Sequence, residues 1–208
     1  LPVAVSNDAT TATLAEARPG AGRDCDDFAM VTLGTGIGGG FVLGGRLHAG
    51  ANGFSGEPGH MVVSADGPVH LSGHRGPWEY YASGNALGRL GREAASTGTF
   101  PRGIQLAGSA GGITGHHVMD AVVEGDQPAQ AVFTDWCTEV ARGVANLVVL
   151  LDLSRIVLGG GLADVGEPLR AGVAAALGGL LPGADSRPVV DVVLAQMGAD
   201  AGALGAAL

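Results

Sequence analysis

Apolar residues along the chain recur with the two periods that distinguish strands from helices. Short apolar runs bounded by turn residues predict strands at 28–33, 155–158 and 189–195, and the first is followed by a return strand that ends at Leu47. The longest helical pattern begins at Gln127-Pro128 and predicts a core helix of about six turns, with Trp136 packed in its apolar stripe. Strands that alternate with helices in this way indicate an α/β domain.

Further elements are predicted around these strands. Ser6-Asn7-Asp8 supplies N-cap chemistry for a helix from about Ala9 to Ala17, after a short strand at 3–5. The other predicted elements are a strand at 61–63, helices at about 85–95, 114–123, 164–177 and 201–208, and a loop or frayed helical linker at 96–112.

The most informative stretch is the glycine-rich segment between the first two strands, where five of the seven residues from Gly34 to Gly40 are glycine. Glycine lets the backbone approach a ligand closely, so successive N–H groups can converge on phosphate oxygens. Gly34, Gly36 and Gly39 also match the dinucleotide fingerprint, but that fingerprint must open a helix. Residues 41–47 are instead predicted as strand, Gly-Gly turn, strand. The segment is therefore interpreted as a phosphate loop within a hairpin, or as a plain glycine-rich hairpin.

Three other segments carry candidate chemistry. Asp8 lies where a strand meets a helix, and the positive end of the helix dipole favours a carboxylate that is available as a base; its alternative role is a helix cap. Glu57 and His60 flank Pro58-Gly59, a turn that can direct both side chains toward one point. The glycines at 159–161 follow a buried strand and permit a flat ligand such as adenine to approach, or form a turn without a ligand.

Composition excludes several classes of protein. The net charge is −9, and the 11 arginine and lysine residues form no run, so a nucleic-acid surface within these residues is not expected. No apolar stretch reaches the ~18 residues of a membrane span, and no signal-peptide pattern opens the chain, so we expect a cytoplasmic protein without a membrane partner. The only cysteines, Cys25 and Cys137, are far apart and are predicted to be free thiols.

Taken together, the motifs resemble the ROK family of sugar kinases and sugar-responsive repressors, and most of all its bacterial ATP-dependent glucokinases. The segments that carry the resemblance are Asn-Asp-Ala at 7–9, Leu-Gly-Thr-Gly-Ile-Gly-Gly-Gly at 33–40, Gly-Glu-Pro-Gly-His at 56–60, Trp-Glu at 78–79 and Leu-Gly-Gly-Gly at 158–161. They follow one another in order over nearly all 208 residues. The resemblance implies an α/β protein with the actin-like ATPase (ribonuclease H-like) sugar kinase fold, in which residues 1–208 are mainly the C-terminal lobe.

The resemblance also implies an activity and a set of site residues. The reaction is transfer of the γ-phosphoryl group of ATP, with Mg²⁺, to the 6-hydroxyl of glucose. The implied general base is Asp8. The residues implied to bind sugar hydroxyls are Asn7, Glu57, His60 and Glu79. The residues implied to hold ATP are Gly34, Thr35, Gly36, Gly38 and Gly39 at the phosphates and Gly159, Gly160 and Gly161 near the adenosine.

Two departures from the family pattern affect these expectations. The family binds structural zinc through three cysteines and a histidine, but His70, Ser72 and Pro77 stand at the cysteine positions, so zinc is not expected. A metal pair of His70 and His74 is not favoured either, because Gly73 separates them in a turn-rich loop. The family's Asp-x-Gly-Gly-Thr phosphate loop has no counterpart, and we expect the N-terminal lobe to be absent from this chain.

These departures leave alternatives open. One is a sugar-responsive transcriptional repressor of the same family whose DNA-binding segment lies outside the chain. Another is a truncated kinase fragment that is folded but inactive, because a two-lobed kinase closes over its substrate. The sequence does not fix the preferred hexose. It also leaves open whether the chain forms a homodimer, although family members are often dimers.

Overall fold

The centre of the molecule is strand β1 (Phe28–Leu33), and the sheet is built outward from it. On one side β1 pairs antiparallel with β2 (Ile37–Leu43), which pairs with the short edge strand β3 (Arg46–Leu47). On the other side β1 pairs parallel with β4 (Arg155–Gly159), which pairs parallel with β5 (Asp191–Leu194). The resulting strand order is β3-β2-β1-β4-β5.

Helices cover both faces of this sheet in the computed structural model, which describes residues 5–208. They are α1 (Asp8–Ala17), α2 (Trp78–Ala82), α3 (Gly84–Ser96), α4 (Pro101–Ala107), α5 (Gly115–Val123), α6 (Gln127–Leu151), α7 (Glu167–Leu180) and α8 (Ala201–Ala207). Among these described residues, no helix combines the length and the apolar character that a bilayer crossing requires. The predicted strand at 3–5 lies outside the described residues except for Val5, which belongs to no strand.

Most predicted elements are present with shifted ends, and the exceptions have local causes. Helices α2 and α4 were not predicted, because they have only 5 and 7 residues and show no clear apolar period. The predicted strand at 61–63 is wrong, since only Val62 pairs, in an isolated bridge with Pro77. The helix predicted from residue 164 begins at Glu167, because Gly166 has a φ of 75° and separates it from a short 3₁₀ turn at Gly161–Val165.

Side chains of β1 alternate between two hydrophobic cores, as the pleat of a strand requires. Ala29, Val31 and Leu33 face the larger core, which α6 dominates and in which Trp136 is fully buried, as predicted. Phe28 and Met30 face the smaller core, which is closed by α1 and α8. The sheet is therefore the middle layer of an α/β/α arrangement.

Helix α2 is fixed against α6 by the buried indole of Trp78. The Trp78 Nε1–H donates to the backbone oxygen of Glu139 at 2.8 Å. The ring lies against Gly143, where any Cβ would collide with it. This contact determines the position of α2 and hence of the next residue, Glu79.

Helix α1 is anchored by the fully buried carboxylate of Glu16. Its Oε2 accepts the Ala21 N–H at 2.7 Å, and its Oε1 accepts the N–H groups of Gln196 and Met197, each at 2.8 Å. These donors belong to the loop after α1 and to the turn after β5. A single side chain thus joins the first helix to the far end of the sheet.

We expect Glu16→Ala to lower the free energy of unfolding by roughly 3 kcal/mol, because three backbone N–H groups, one of them buried and two partly buried, lose a charged acceptor. Glu16→Gln should cost less, since one amide oxygen can still accept from Gln196 and Met197. Urea unfolding followed by circular dichroism measures both. Asp135→Ala, an exposed change within α6, is the control. Equal stability of wild type and Glu16→Ala would contradict the anchoring role.

The two cysteines are free and should differ in reactivity. Burial raises the pKa of the Cys137 thiol to about 12, so almost no thiolate forms there at pH 8. Cys25 is only half-buried. We therefore expect a disulfide reagent such as Ellman's reagent to modify Cys25 in the folded protein and Cys137 only after unfolding. The absorbance of the released thiolate, measured before and after adding guanidinium, counts the reactive cysteines. Rapid modification of both thiols in the native state would contradict this placement.

Candidate active site

The turn between β1 and β2 consists of Gly34, Thr35 and Gly36 and lies beside the carboxyl end of β4. The Gly34 N–H donates to the Gly36 oxygen at 3.0 Å, and the N–H of Gly84, the first residue of α3, donates to the Gly34 oxygen at 2.7 Å. No helix follows Gly39, which lies within β2. The predicted glycine-rich hairpin is confirmed, and the dinucleotide fingerprint is excluded.

The glycines inside β2 permit close packing on both faces of the strand. A Cβ at Gly40 would collide with the side chain of Thr13 in α1. A Cβ at Gly39 would lie 3.0 Å from Pro58 Cγ and 2.5 Å from the Met30 oxygen. Because neighbouring strand residues face opposite sides, α1 approaches one face of β2 and the loop containing Pro58 approaches the other.

A cleft of about 540 Å³ opens at this end of the sheet. The predicted site residues that line it are Asn7, Asp8, Gly34, Thr35, Gly36, Gly38, Glu57, Glu79 and Gly160. They come from the start of α1, the hairpin, the loop before Pro58, the start of α2 and the turn after β4. The fold thus brings together carboxylates that are far apart in the sequence.

Four predicted site residues do not line this cleft. His60 is exposed, and its Nε2 lies 3.9 Å from Glu57 Oε2. Gly39 is buried within β2, and Gly159 is buried at the end of β4. Gly161 lines a separate cavity on the other side of the hairpin turn. Contact of these four residues with a ligand stays a prediction. For Gly39, the close packing against Pro58 and Met30 is enough to explain why the position is a glycine.

Asp8 is the first residue of α1, and its carboxylate is exposed at the cleft. The helix is capped by Asn7, whose Oδ1 accepts the N–H groups of Ala9 at 2.9 Å and Thr10 at 3.1 Å. Asp8 Oδ1 also accepts the Ala9 N–H, at 2.7 Å. Because Asn7 performs the capping, the second oxygen of Asp8 accepts no hydrogen bond among residues 5–208. The N-cap residue is therefore Asn7 and not Asp8, and the role of Asp8 as a base stays a prediction.

Glu79, the second residue of α2, is held at both carboxylate oxygens. Its Oε2 accepts the Ile37 N–H at 2.8 Å, and its Oε1 lies 3.4 Å from Nε2 of His70. A Cβ on Gly36 would collide with Oε2. The glycine at the end of the turn therefore makes room for an acidic side chain, a role that sequence reasoning did not find.

The family's zinc-binding residues have no equivalent arrangement here. Pro77 caps α2 and carries no donor, and Ser72 contacts the ring of His70. Across residues 5–208, no group of three or more His, Cys, Asp or Glu side chains is placed to hold a metal ion. The donor set does not fit zinc, and the expectation that zinc is not bound stays a prediction.

Two smaller cavities adjoin the hairpin turn, and Thr35 lines both of them as well as the cleft. One, of about 370 Å³, lies between residues 161–162 and the start of α5 at 114–116. The other, of about 450 Å³, lies between α2, α3 and the loop that carries His70. The exposed side chain of Thr35 therefore lies where the cleft and the two smaller cavities meet.

Sequence reasoning missed part of the cleft lining. Thr32 lines it near the carboxyl end of β1, and Ala199, Ala201 and Gly202 line it after β5. Their position in the sequence could have indicated them, because they lie near the carboxyl ends of predicted parallel strands, and ligands bind beyond that edge of a sheet. These residues were not singled out because they carry no ionisable group.

The strand order, with a glycine hairpin turn at the carboxyl ends of the parallel strands, defines an α/β protein with the actin-like ATPase fold. The chain belongs to the ROK family, whose model matches residues 1–208.

Comparison with individual proteins agrees with this assignment. The chain is 37% identical over 210 residues to the glucokinase of Streptomyces coelicolor, and the match covers 100% of this chain and 66% of that protein. It superposes with a TM-score of 0.92 and 39% identity on the crystal structure of a ROK family glucokinase from Streptomyces griseus in complex with glucose and AMPPNP, covering 100% of this chain and 67% of that one. A ROK family transcriptional regulator superposes with a TM-score of 0.84 at 25% identity, over 100% of this chain and 51% of the regulator. The chain thus spans about two thirds of the length of its enzyme relatives.

Gly36→Ala should displace the Glu79 carboxylate and break its hydrogen bond to Ile37 N–H, lowering the free energy of unfolding by roughly 1–2 kcal/mol. Gly34→Ala is the matched control, because a Cβ there meets no atom within 4 Å. We expect it to change stability by less than about 0.5 kcal/mol. Chemical denaturation of the two variants makes the comparison, and equal destabilisation by both would contradict the Gly36–Glu79 contact.

Proposed function

We propose that the protein containing this chain is a glucokinase, which transfers the γ-phosphoryl group of ATP to the 6-hydroxyl of glucose. The observation that carries the proposal is the single cleft lined by Asp8, Glu57, Glu79 and the glycine hairpin turn. The similarity to proteins named glucokinase supports it. Any single feature would be compatible with other functions, but carboxylates that can accept sugar hydroxyls beside a turn that can hold phosphates are the combination that phosphoryl transfer to a sugar requires.

The cleft suits a hexose because its polar groups can take hydroxyls from several directions. Glu57 and Glu79 provide acceptor oxygens, and the side-chain NH₂ of Asn7 remains a donor, since its oxygen caps α1. A pyranose ring presents a donor and an acceptor at each hydroxyl, so fixed carboxylates select its orientation. We propose that these three residues bind the sugar, and that His60 acts through its contact with Glu57.

Asp8 is proposed as the general base. Asp8 lines the cleft with one carboxylate oxygen that accepts no hydrogen bond within residues 5–208. It stands at the N-terminus of α1, where backbone dipoles favour negative charge. As the 6-oxygen of the sugar bonds to phosphorus and the bridging oxygen leaves with ADP, the hydroxyl proton passes to this carboxylate. Proton acceptance and alignment are the chain's contributions, because phosphoryl transfer needs little covalent help.

We propose that the nucleotide lies across the hairpin turn. The backbone amides of the turn and the Thr35 hydroxyl would hold phosphate oxygens, and the cavity between Leu162 and the start of α5 would take the adenosine. The fit rests on the half-buried Gly34, where no atom lies within 4 Å of the position that a Cβ would occupy. When bound, ATP with Mg²⁺ supplies the phosphoryl group and the charge compensation on its leaving oxygen.

Asp8→Asn in the complete gene product should lower kcat by about 10³-fold and leave the affinity for glucose within a few-fold, because the amide fills the same space but cannot accept the proton. A coupled assay of glucose 6-phosphate formation gives kcat, and titration calorimetry gives the affinity. The control is Asp66→Asn, the same change at an exposed position away from the cleft. Turnover that survives Asp8→Asn would refute the assigned base.

The same measurements test the two alternatives. Sugar binding without turnover by the complete gene product would indicate a sugar-responsive regulator; one structural relative is a ROK family transcriptional regulator. Turnover by the complete gene product but not by residues 1–208 would show that the remaining third of the kinase length is required. Titration with glucose, N-acetylated amino sugars and fructose in parallel determines the preferred hexose.

A further inference from the structure

His70 lies in a loop of its own and points at the acidic side chain of α2. Its Nε2 is 3.4 Å from Glu79 Oε1, and each of the two side chains is only 19% exposed. In the sequence, His70 was considered because it stands where the family has a cysteine and because His74 follows it four residues later. The structure shows it in contact with a carboxylate that lines the proposed sugar cleft.

The hydrogen bonds at the other ring nitrogen determine which nitrogen carries the proton. The backbone N–H of Ser72 donates to His70 Nδ1 at 3.4 Å, and Ser72 Oγ lies 3.2 Å from the same atom. A backbone N–H can only donate, so Nδ1 must accept. In the neutral imidazole the proton is then on Nε2, the nitrogen that lies 3.4 Å from Glu79 Oε1.

The loop that presents His70 is held by backbone hydrogen bonds. The His70 N–H donates to the His74 oxygen at 2.9 Å, and the Gly76 N–H donates to the Pro68 oxygen at 3.0 Å. At its end the Trp78 N–H donates to the Met61 oxygen at 2.7 Å. The loop is therefore a small hairpin that is continuous with α2, and it carries the imidazole to the Glu79 side chain without a metal.

We propose that His70 is a positioning residue for sugar binding: its Nε2–H fixes the carboxylate plane of Glu79, which Ile37 N–H alone would leave free to rotate. This inference rests on the proposed function, because it assumes that Glu79 contacts the sugar. With one oxygen hydrogen-bonded to the hairpin backbone and the other in contact with His70, the remaining lone pairs of Glu79 keep a constant direction. Fixed acceptors lose less entropy when a hydroxyl binds than mobile ones do.

His70→Ala in the complete gene product should weaken glucose binding by about 10-fold, the effect of losing one hydrogen bond to a charged group. The affinity for ATP should stay within about two-fold, because His70 does not line the nucleotide cavity. His70→Gln, whose amide can still donate, should recover most of the glucose affinity. His74→Ala is the matched control, since this exposed histidine of the same loop should leave binding unchanged. Titration calorimetry measures all four proteins.

A double-mutant cycle distinguishes positioning from a purely structural role. In the Glu79→Ala background, His70→Ala should have no further effect on glucose affinity, because the group that it positions is gone. An undiminished effect in that background would overturn the proposal and assign His70 to loop stability. So would unchanged glucose binding by His70→Ala in the wild-type background.

Ring ¹⁵N chemical shifts give a readout that does not depend on sugar. We expect His70 to be protonated at Nε2 in the wild type, with the Nε2–H resonance shifted in Glu79→Ala. Absence of glucose binding by the wild type would refute the proposed function and the role in sugar binding, while these shifts would still show whether His70 donates to Glu79. Protonation at Nδ1 would overturn the hydrogen-bond geometry itself.

Discussion

The site depends on how closely helix α1 and the loop that contains Pro58 can approach strand β2. Three successive residues of this strand, Gly38 to Gly40, have no side chain, so the backbone is accessible from both faces of the sheet. On one face helix α1 packs close to the strand, with Thr13 against Gly40. On the other face the loop that contains Pro58 packs against Gly39. Asp8 and Glu57 consequently reach one cleft from opposite layers. A larger residue at any of these positions would move a carboxylate away from it.

Backbone amides, rather than arginines, bind the carboxylates of Asp8, Glu16 and Glu79. Asp8 accepts from the Ala9 N–H, Glu79 from the Ile37 N–H, and Glu16 from three N–H groups. No arginine lines the cleft within the described part of the chain. An amide donor carries no net charge and holds a carboxylate without neutralising it. Acidic oxygens kept in this way stay available to accept protons and hydrogen bonds from a polyhydroxyl ligand.

The elements that could be predicted from the sequence are those determined by local patterns of apolar and turn residues. The strands around the glycine segment follow from alternation and turn residues, and α6 follows from its apolar stripe and Pro128, so both could be read without knowing the fold. Asp8, Glu57 and Glu79 were grouped through a family resemblance, because nothing in their spacing indicates that α1, a loop and α2 meet. The contact between His70 and Glu79 depends on how a loop folds back onto a helix, which leaves no periodic signal. Gly36 and Gly39 were assigned to a ligand, whereas protein atoms occupy the space that their side chains would need.

The buried carboxylate of Glu16 also bears on how the protein forms during synthesis. Its partners Gln196 and Met197 lie 180 and 181 residues further along the chain, and α8, whose Gly205 contacts the Thr11 backbone, comes later still. Helix α1 leaves the ribosome well before these residues and completes its packing only after they have been made. Contacts so distant in sequence close slowly, because the intervening chain loses much entropy. Until then Asp8 stands on an undocked helix, so the cleft cannot form before residues 196–205 have been made.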